Sequence, residues 1–493
     1  MKIVRCAIDE KGLIQVKKQW RSIADLNNSQ EHNKQNEFPE GADDLSEGVS
    51  RRSFLKLLGS SIAFAGLSGC GSFRKPEKHI KPYAKMPEEI VAGRPLFYAS
   101  SMEFGGSVSG VLVETYEGRP TKIEGNPEHP NNNGKSSVYE QASILNLYDP
   151  DRLKSITQNK QSATKDQFIA FVNQLKAEGK SIGFVYESTR SQTFHRLAKS
   201  LKKHPAKASF YKINRINNDN QLATFKSLGL LANGDPALQL EYDYTQAQVI
   251  LSLGSDFLAA QRDSTKSAQQ FSVKRNPDEG PLNRLYVLED TQTITGSKAD
   301  HRFAVSTKEL EQIALKILLN CVQKGMLIVS RKIITKIEIL LSNFVLPVSD
   351  AVIDEIVQDA RAQLGHAIVT VGANRSPLLH AIGLLLNRAF GSIGKGVQFS
   401  QDRLQAISEE NASVEDSITQ LIADSNEKKI DCLVFIGGNP YFTYSGQKEL
   451  LHAFDNIPKR VHLTESRNET SEKSDWVLPL SHYLESWGDL VSH

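Results

Sequence analysis

Over most of the chain, apolar residues fall in short unbroken blocks separated by amphipathic stretches, the pattern of buried strands alternating with helices. Thr164-Lys165-Asp166-Gln167 has the spacing of a capping box and predicts a helix running to Glu178, with Gly179 as its stop. Ile182 to Tyr186 then predicts a short strand, followed by a helix start near Ser188 to Gln192. The alternation returns in the strands Gln248 to Leu253, Arg284 to Leu288, Ala367 to Val371 and Cys432 to Ile436, and in the helices Leu310 to Cys321 and Ser376 to Phe390. Strands that are apolar on both faces and alternate with helices predict an α/β fold of parallel sheets flanked by helices over residues 151–493.

The pattern differs before residue 150. Val108 to Tyr116 alternates as a strand, Glu117-Gly118-Arg119-Pro120 reads as a turn, and Thr121-Lys122-Ile123-Glu124 as the hairpin partner, so a small β region is expected within residues 71–150. Pro76 to Pro95, rich in proline and charge, reads as an extended strap leading into it. Residues 1–50 are polar and rich in Asn, Gln and Glu, with one apolar hint at Ile14 to Trp20 that suits a short docking helix.

Residues 51–70 carry the sharpest local signal. Ser50-Arg51-Arg52-Ser53-Phe54-Leu55-Lys56 leads into the 11 uncharged residues Leu57 to Leu67, too few to span a bilayer, which takes roughly 20. The run has the size of an export signal's apolar core, and the paired arginines resemble the twin-arginine signal. Leu67-Ser68-Gly69-Cys70 resembles a lipobox, in which the Cys70 thiol would be acylated; the alternative is an amphipathic helix ending in a glycine turn with a buried cysteine. Acylation at Cys70 would hold the body on a membrane surface without a spanning helix.

Charge and cysteine content narrow the chemistry. Lys plus Arg is 59 and Asp plus Glu 57, with neither sign gathered into a block that would track a phosphate backbone, so no nucleic-acid partner is expected. The four cysteines, Cys6, Cys70, Cys321 and Cys432, lie far apart, with no CxxC to hold an iron-sulfur cluster or structural zinc. Cys321 and Cys432 sit in apolar surroundings and read as small core residues. In parallel sheets ligands bind beyond the strand ends, here Gly254-Ser255-Asp256, Glu289-Asp290-Thr291, Gly372-Ala373-Asn374 and Gly437-Gly438-Asn439-Pro440. No Gly-x-Gly-x-x-Gly and no Walker loop follows any of them, so each glycine suits a tight strand-to-helix turn.

The phrase Gly125-Asn126-Pro127-Glu128-His129-Pro130, with Gly134-Lys135-Ser136-Ser137 and the stretch Leu147-Tyr148-Asp149-Pro150-Asp151-Arg152, resembles the molybdopterin-oxidoreductase superfamily. Closer still is the resemblance to the variant found in alternative complex III, a respiratory quinol-oxidising assembly. It is carried by the Arg51-Arg52 leader, Pro87-Glu88-Glu89-Ile90-Val91, Glu117-Gly118-Arg119-Pro120, Thr295-Gly296-Ser297-Lys298-Ala299-Asp300-His301-Arg302, and the stretch from Asp475-Trp476-Val477-Leu478-Pro479 to Gly488-Asp489. The resemblance implies a molybdopterin-oxidoreductase-like fold with a small N-terminal β region.

Two departures shape what else it implies. The last cluster cysteine of catalytic relatives would fall at about Ser137, and no Cys or Ser stands convincingly where molybdenum is ligated. The resemblance therefore implies a structural subunit, non-catalytic by itself and with no cofactor in this chain. Iron-sulfur clusters would lie in a missing C-terminal portion or a partner, since the sequence stops close behind a family phrase. Expected partners are integral membrane subunits, multihaem and monohaem cytochrome c subunits, an iron-sulfur domain, and membrane lipid through Cys70. The expected location is the periplasmic face of the bacterial inner membrane. The competing class is a catalytic molybdopterin-dependent oxidoreductase, for which Asp256, Asn374, Asn439 and Glu465 are the cofactor candidates and His129 or His301 the acid or base. For each histidine a structural role, as a loop brace or beside Asp300, stands as the alternative. A free lipoprotein that binds a soluble ligand is a third class.

Overall fold

The computed structural model describes residues 90–203, 208–230, 238–342, 344–401 and 413–492, all within one compact unit, Pro87–His493. The leader, Cys6, Cys70 and the strap before residue 90 lie outside the described residues.

Three antiparallel strands open this unit: β1 (Leu96–Phe104), β2 (Ser107–Tyr116) and β3 (Arg119–Gly125), in that order across the sheet. The expected turn narrows to two residues, Glu117 and Gly118, both at positive φ, which is the backbone a tight hairpin of right-twisted strands requires. Pro120 therefore belongs to β3, where it faces Thr115 at a break in register that tolerates the missing donor. Val111, Val113 and Ile123 form the small core.

The expected alternation follows. β4 (Thr157–Gln158) and β5 (Gln161–Ser162) form a short hairpin, and the helix Lys165–Ala177 begins at the Thr164/Gln167 capping box. β6 (Ile182–Glu187), β7 (Ala208–Ile213), β8 (Leu238–Tyr242), β9 (Val249–Leu253), β10 (Arg284–Glu289), β11 (His301–Ala304) and β12 (Ala367–Val371) come next. The last strands are β13 (Val397–Gln401), β14 (Cys432–Ile436), β15 (Lys459–Thr464) and β16 (Trp476–Pro479).

These strands build two parallel sheets. The first is four-stranded, ordered β11-β10-β9-β12; the second is seven-stranded, β5-β4-β16-β15-β14-β6-β7, with antiparallel pairing only at the β4 and β5 edge. A two-stranded ribbon joins β13 to β8. The chain leaves the larger sheet after β7, builds the smaller one, and returns at β14 beside β6. The α/β region is thus one sheet interrupted by another.

Every residue of β9 and of β12 is buried, as strands covered on both faces must be. Val249, Leu251 and Leu253 face the helices Thr307–Gln323, Arg331–Leu341, Asp350–Ala362 and Pro377–Ala389, while Ile250 faces Tyr244, Phe257 and Phe271. In the larger sheet Leu433 and Phe435 pack under the helices Val414–Asn426 and Lys448–Asn456, and Cys432, Val461 and Trp476 pack under Lys165–Ala177. Each large aliphatic or aromatic side chain buried this fully contributes about 1.5–3 kcal/mol. Cys321 and Cys432 are core residues whose thiols burial pushes up to about 12, far from a reactive thiolate.

Candidate functional site

Each parallel sheet has a point where the strand order reverses, between β9 and β12 in one and between β6 and β14 in the other. Loops leaving the strands on either side diverge there, opening the crevice in which α/β proteins bind ligands.

At the smaller sheet the chain's own side chains close the strand ends. The Arg375 guanidinium makes two hydrogen bonds to the Asp290 carboxylate, at 2.6 and 2.7 Å, and a third, at 3.4 Å, to the Gly254 carbonyl. Thr307 donates its hydroxyl to Asp290 at 2.7 Å. Arg375 above all holds the Asp290 carboxyl well below the usual carboxylate range. Asp256 accepts from the Thr295 N–H at 3.0 Å and its hydroxyl at 2.8 Å, anchoring the turn Ile294–Ser297. Asn374 is exposed at the entry to the next helix. Replacing Arg375 by Met is expected to lower stability by about 1 kcal/mol, since it removes the cation of a bidentate pair whose carboxylate is partly exposed. Urea unfolding at neutral pH measures this.

The larger sheet is closed in the same manner. Asn439 accepts from Thr470, at 3.2 Å from its N–H and 2.8 Å from its hydroxyl, and donates to Glu469 at 2.5 Å. Glu465 is half-buried, and desolvation pushes its carboxyl up against the pull of Arg152. Arg152 itself grips Glu485 through two hydrogen bonds, 3.1 and 2.6 Å long, and holds that carboxyl down to about 2.

The remaining candidates also have structural partners. His129 lies so close to the Gly110 backbone that a Cβ on Gly110 would sit 2.4 Å from the imidazole. Beside it, Asn132 takes the Gly110 N–H at 3.1 Å and donates to the Gly110 carbonyl at 2.8 Å, tying the loop to β2. His301 is exposed and stacks on Tyr286, with 4.9 Å between ring centroids. Its neighbour Asp300 pairs with Arg275 through two bonds of 2.9 Å and accepts the Leu285 N–H at 2.7 Å. Ser137 is the N-cap of the helix Val138–Leu147, exchanging hydrogen bonds with Glu140. The structure thus brings Asp256 and Asn374 to one sheet's end and Asn439 and Glu465 to the other's, each pair apart from the two histidines.

Between the sheets lies a crevice of three adjoining lobes, of about 160, 190 and 140 Å³, all lined by Gln261 and Arg262 of the loop after β9. Ser188, Thr189 and Arg190 after β6, the β1–β2 turn Gly105-Gly106, Asn131 and His380 complete its walls. Asp263 adopts the left-handed conformation, φ 58°, and receives the Ser107 hydroxyl. Glu103 accepts from Thr189 at 2.8 Å, and burial raises its carboxyl. His380 is 6% exposed; burial pushes its imidazole down to about 4, and its Nε2, like Asn131 Nδ2, has no hydrogen-bond partner among the described residues. Of the strand-end and motif residues singled out from sequence, Ser137 and Ala373 line this crevice. Many of the others come from loops without periodicity, such as Gln261–Asp263; the Asn run at residues 131–133 is the visible hint.

Among the described residues no three His, Cys, Asp or Glu side chains cluster to hold a metal ion. Each lobe alone is smaller than the roughly 300–1,000 Å³ of ordinary small-molecule sites, while the three adjoining lobes together fall within that range.

No family model matches the chain. It is 21% identical over 475 residues to the menaquinone reductase, molybdopterin-binding-like subunit of Nitratidesulfovibrio vulgaris, a match covering 90% of this chain and 67% of that protein. Among solved structures it is similar to acetylene hydratase from Pelobacter acetylenicus, with a TM-score of 0.53 at 12% identity, covering 78% of this chain and 61% of that one. The chain therefore spans less than two thirds of that structure. The parallel sheets flanked by helices, with their N-terminal β region, are similar to a molybdopterin-enzyme fold, as the sequence motifs imply. The relative supports the molybdopterin-oxidoreductase superfamily, the solved structure shows the fold alone, and neither reaches a particular subunit.

Proposed function

We propose that this chain is a structural, non-catalytic portion of a membrane-bound respiratory complex of the alternative complex III type, which oxidises quinol through cluster-bearing and haem-bearing partners. Its role is to hold those partners in fixed geometry, with Cys70 acylated and the body on the periplasmic face. The observation that carries the reading is that polar side chains at the strand ends are taken up by partners within the chain, Asp290 by Arg375 at one sheet and Asn439 by Thr470 at the other. The relative of 90% coverage is itself named a molybdopterin-binding-like subunit of a menaquinone reductase, which supports a quinone-linked setting.

A second reading, a molybdopterin-dependent catalytic subunit, draws on His380 Nε2 and Asn131 Nδ2, buried polar atoms that a polar ligand in the crevice would satisfy. Molybdenum and tungsten analysis, with oxidative release of fluorescent pterin, separates the two on the full chain purified from its native membranes. The structural reading expects metal and pterin far below one per chain; a stoichiometric amount of both establishes the second.

A further inference from the structure

The stretch from Leu327 to Leu346 lies on the outer side of the smaller sheet's helical layer and carries the helix Arg331–Leu341. One side of that helix, Ile334, Ile337 and Leu341, packs on the core. The rest is unusual for a soluble surface. Ile328 before the helix and Val345 after it are 96% and 94% exposed, and Ile333, Ile339 and Leu340 are exposed between them. Large aliphatic side chains left outside in one continuous segment are costly in water unless something covers them.

Charge indicates what does. Arg331, Lys332 and Lys336 stand among these aliphatics, and none has an ion-pair or side-chain hydrogen-bond partner among the described residues. The neighbouring acids are already engaged, Asp350 by Lys316 and Asp354 by Lys324, leaving Glu338 as the helix's one carboxylate. Unpaired cations with stems long enough to snorkel, interleaved with protruding aliphatics, match the interfacial layer of an anionic bilayer: the chains enter the acyl boundary and the ammonium groups stay among phosphates. A protein partner would more commonly be met by exposed aromatic anchors, and the aromatic of this stretch, Phe344, is half-buried with Lys308 over its ring.

We propose that the surface formed by Ile328, Arg331, Lys332, Lys336, Ile339 and Val345 docks on anionic phospholipid. This contact is separate from acylation at Cys70 and from the question of catalysis.

The test uses the full chain carrying Cys70→Ser, so that no acyl group intervenes, and flotation with vesicles of phosphatidylcholine alone or with roughly one-third phosphatidylglycerol. The parent is expected to bind the anionic vesicles and to release them as salt rises. Ile328→Ser with Val345→Ser, and separately Lys332→Glu with Lys336→Glu, are expected to weaken that binding about tenfold or more, with unchanged circular dichroism and melting temperature. All variants share the same leader, so the difference reports this surface alone. Equal binding of parent and variants overturns the proposal, as does equal binding to neutral and anionic vesicles. Absence of vesicle binding, with loss in the variants of a protein subunit that co-purifies with the parent, also overturns it and gives the surface to that subunit.

Discussion

Acidification from neutral pH to about 5 is expected to strip this chain of several kcal/mol of stability. The main cause is a pair of buried neutral histidines, with His482, also buried and pushed down by burial, adding in the same sense. His462 is fully buried on β15, with Nδ1 3.0 Å from the Ser471 hydroxyl, and His380 is nearly so above the crevice. Burial pushes both imidazoles down to about 4 from the ordinary 6.5. Between those values the unfolded chain binds protons that the folded chain refuses, so stability rises with pH there and falls as pH drops. Each histidine contributes a loss of up to about 3 kcal/mol by pH 4, against a total of about 5–15 kcal/mol for a typical domain. Asp290 and Glu485, held low by Arg375 and Arg152, lose their contribution only at lower pH, while Glu103 and Glu465, pushed up by burial, act in the opposite sense. Urea unfolding between pH 7 and about 5 should show the slope, and His380→Gln with His462→Gln should flatten it. A double variant with the parent's slope would assign acid sensitivity elsewhere.

Gly296→Ala is expected to destabilise the chain by about 3–5 kcal/mol, more than any surface change. A Cβ at Gly296 would lie 1.8 Å from the Glu289 carboxylate. Glu289 is buried at the end of β10, where it pairs with Arg302 and accepts the Thr293 hydroxyl at 2.7 Å. The methyl group cannot enter unless that carboxylate leaves its cation, which strands a charge in the core. Thermal unfolding of Gly296→Ala against Ser297→Ala, a neighbour with an exposed side chain, measures the difference. Near-equal melting temperatures would show that the Glu289 site can shift at little cost. The phrase Thr295-Gly296-Ser297 thus has a packing role: Thr295 is held by Asp256 and Gly296 makes room for Glu289.

How far the sequence reached depends on where burial is two-sided. β9, β12 and β14 are nearly continuous apolar runs and were legible as strands, and the capping box at Thr164 placed its helix correctly. β15, Lys459–Thr464, mixes charge into its first half, and β1 is largely exposed, so neither has a strand's usual signature. The helix Val138–Leu147 has capping-box spacing at Ser137 and Glu140 but buries only Glu140 and Ser143, so no apolar stripe marks it in the sequence. Chain order also conceals that β14 returns beside β6 across the whole smaller sheet.

For the site, the polar residues at the strand ends are engaged by the turns that follow them. Asp256 and Asn439 satisfy backbone donors of the next turn, a demand every strand-to-helix junction makes. The crevice itself is lined from loops such as Gln261–Asp263, whose meeting is set by tertiary structure alone.

The most direct test of the structural role is mass spectrometry of the complex taken from native membranes in mild detergent, with the intact subunit and its companions identified together. The account predicts a subunit beginning at acylated Cys70, accompanied by iron-sulfur and multihaem cytochrome proteins and free of pterin. An unacylated chain, alone and carrying one molybdopterin per copy, would contradict it.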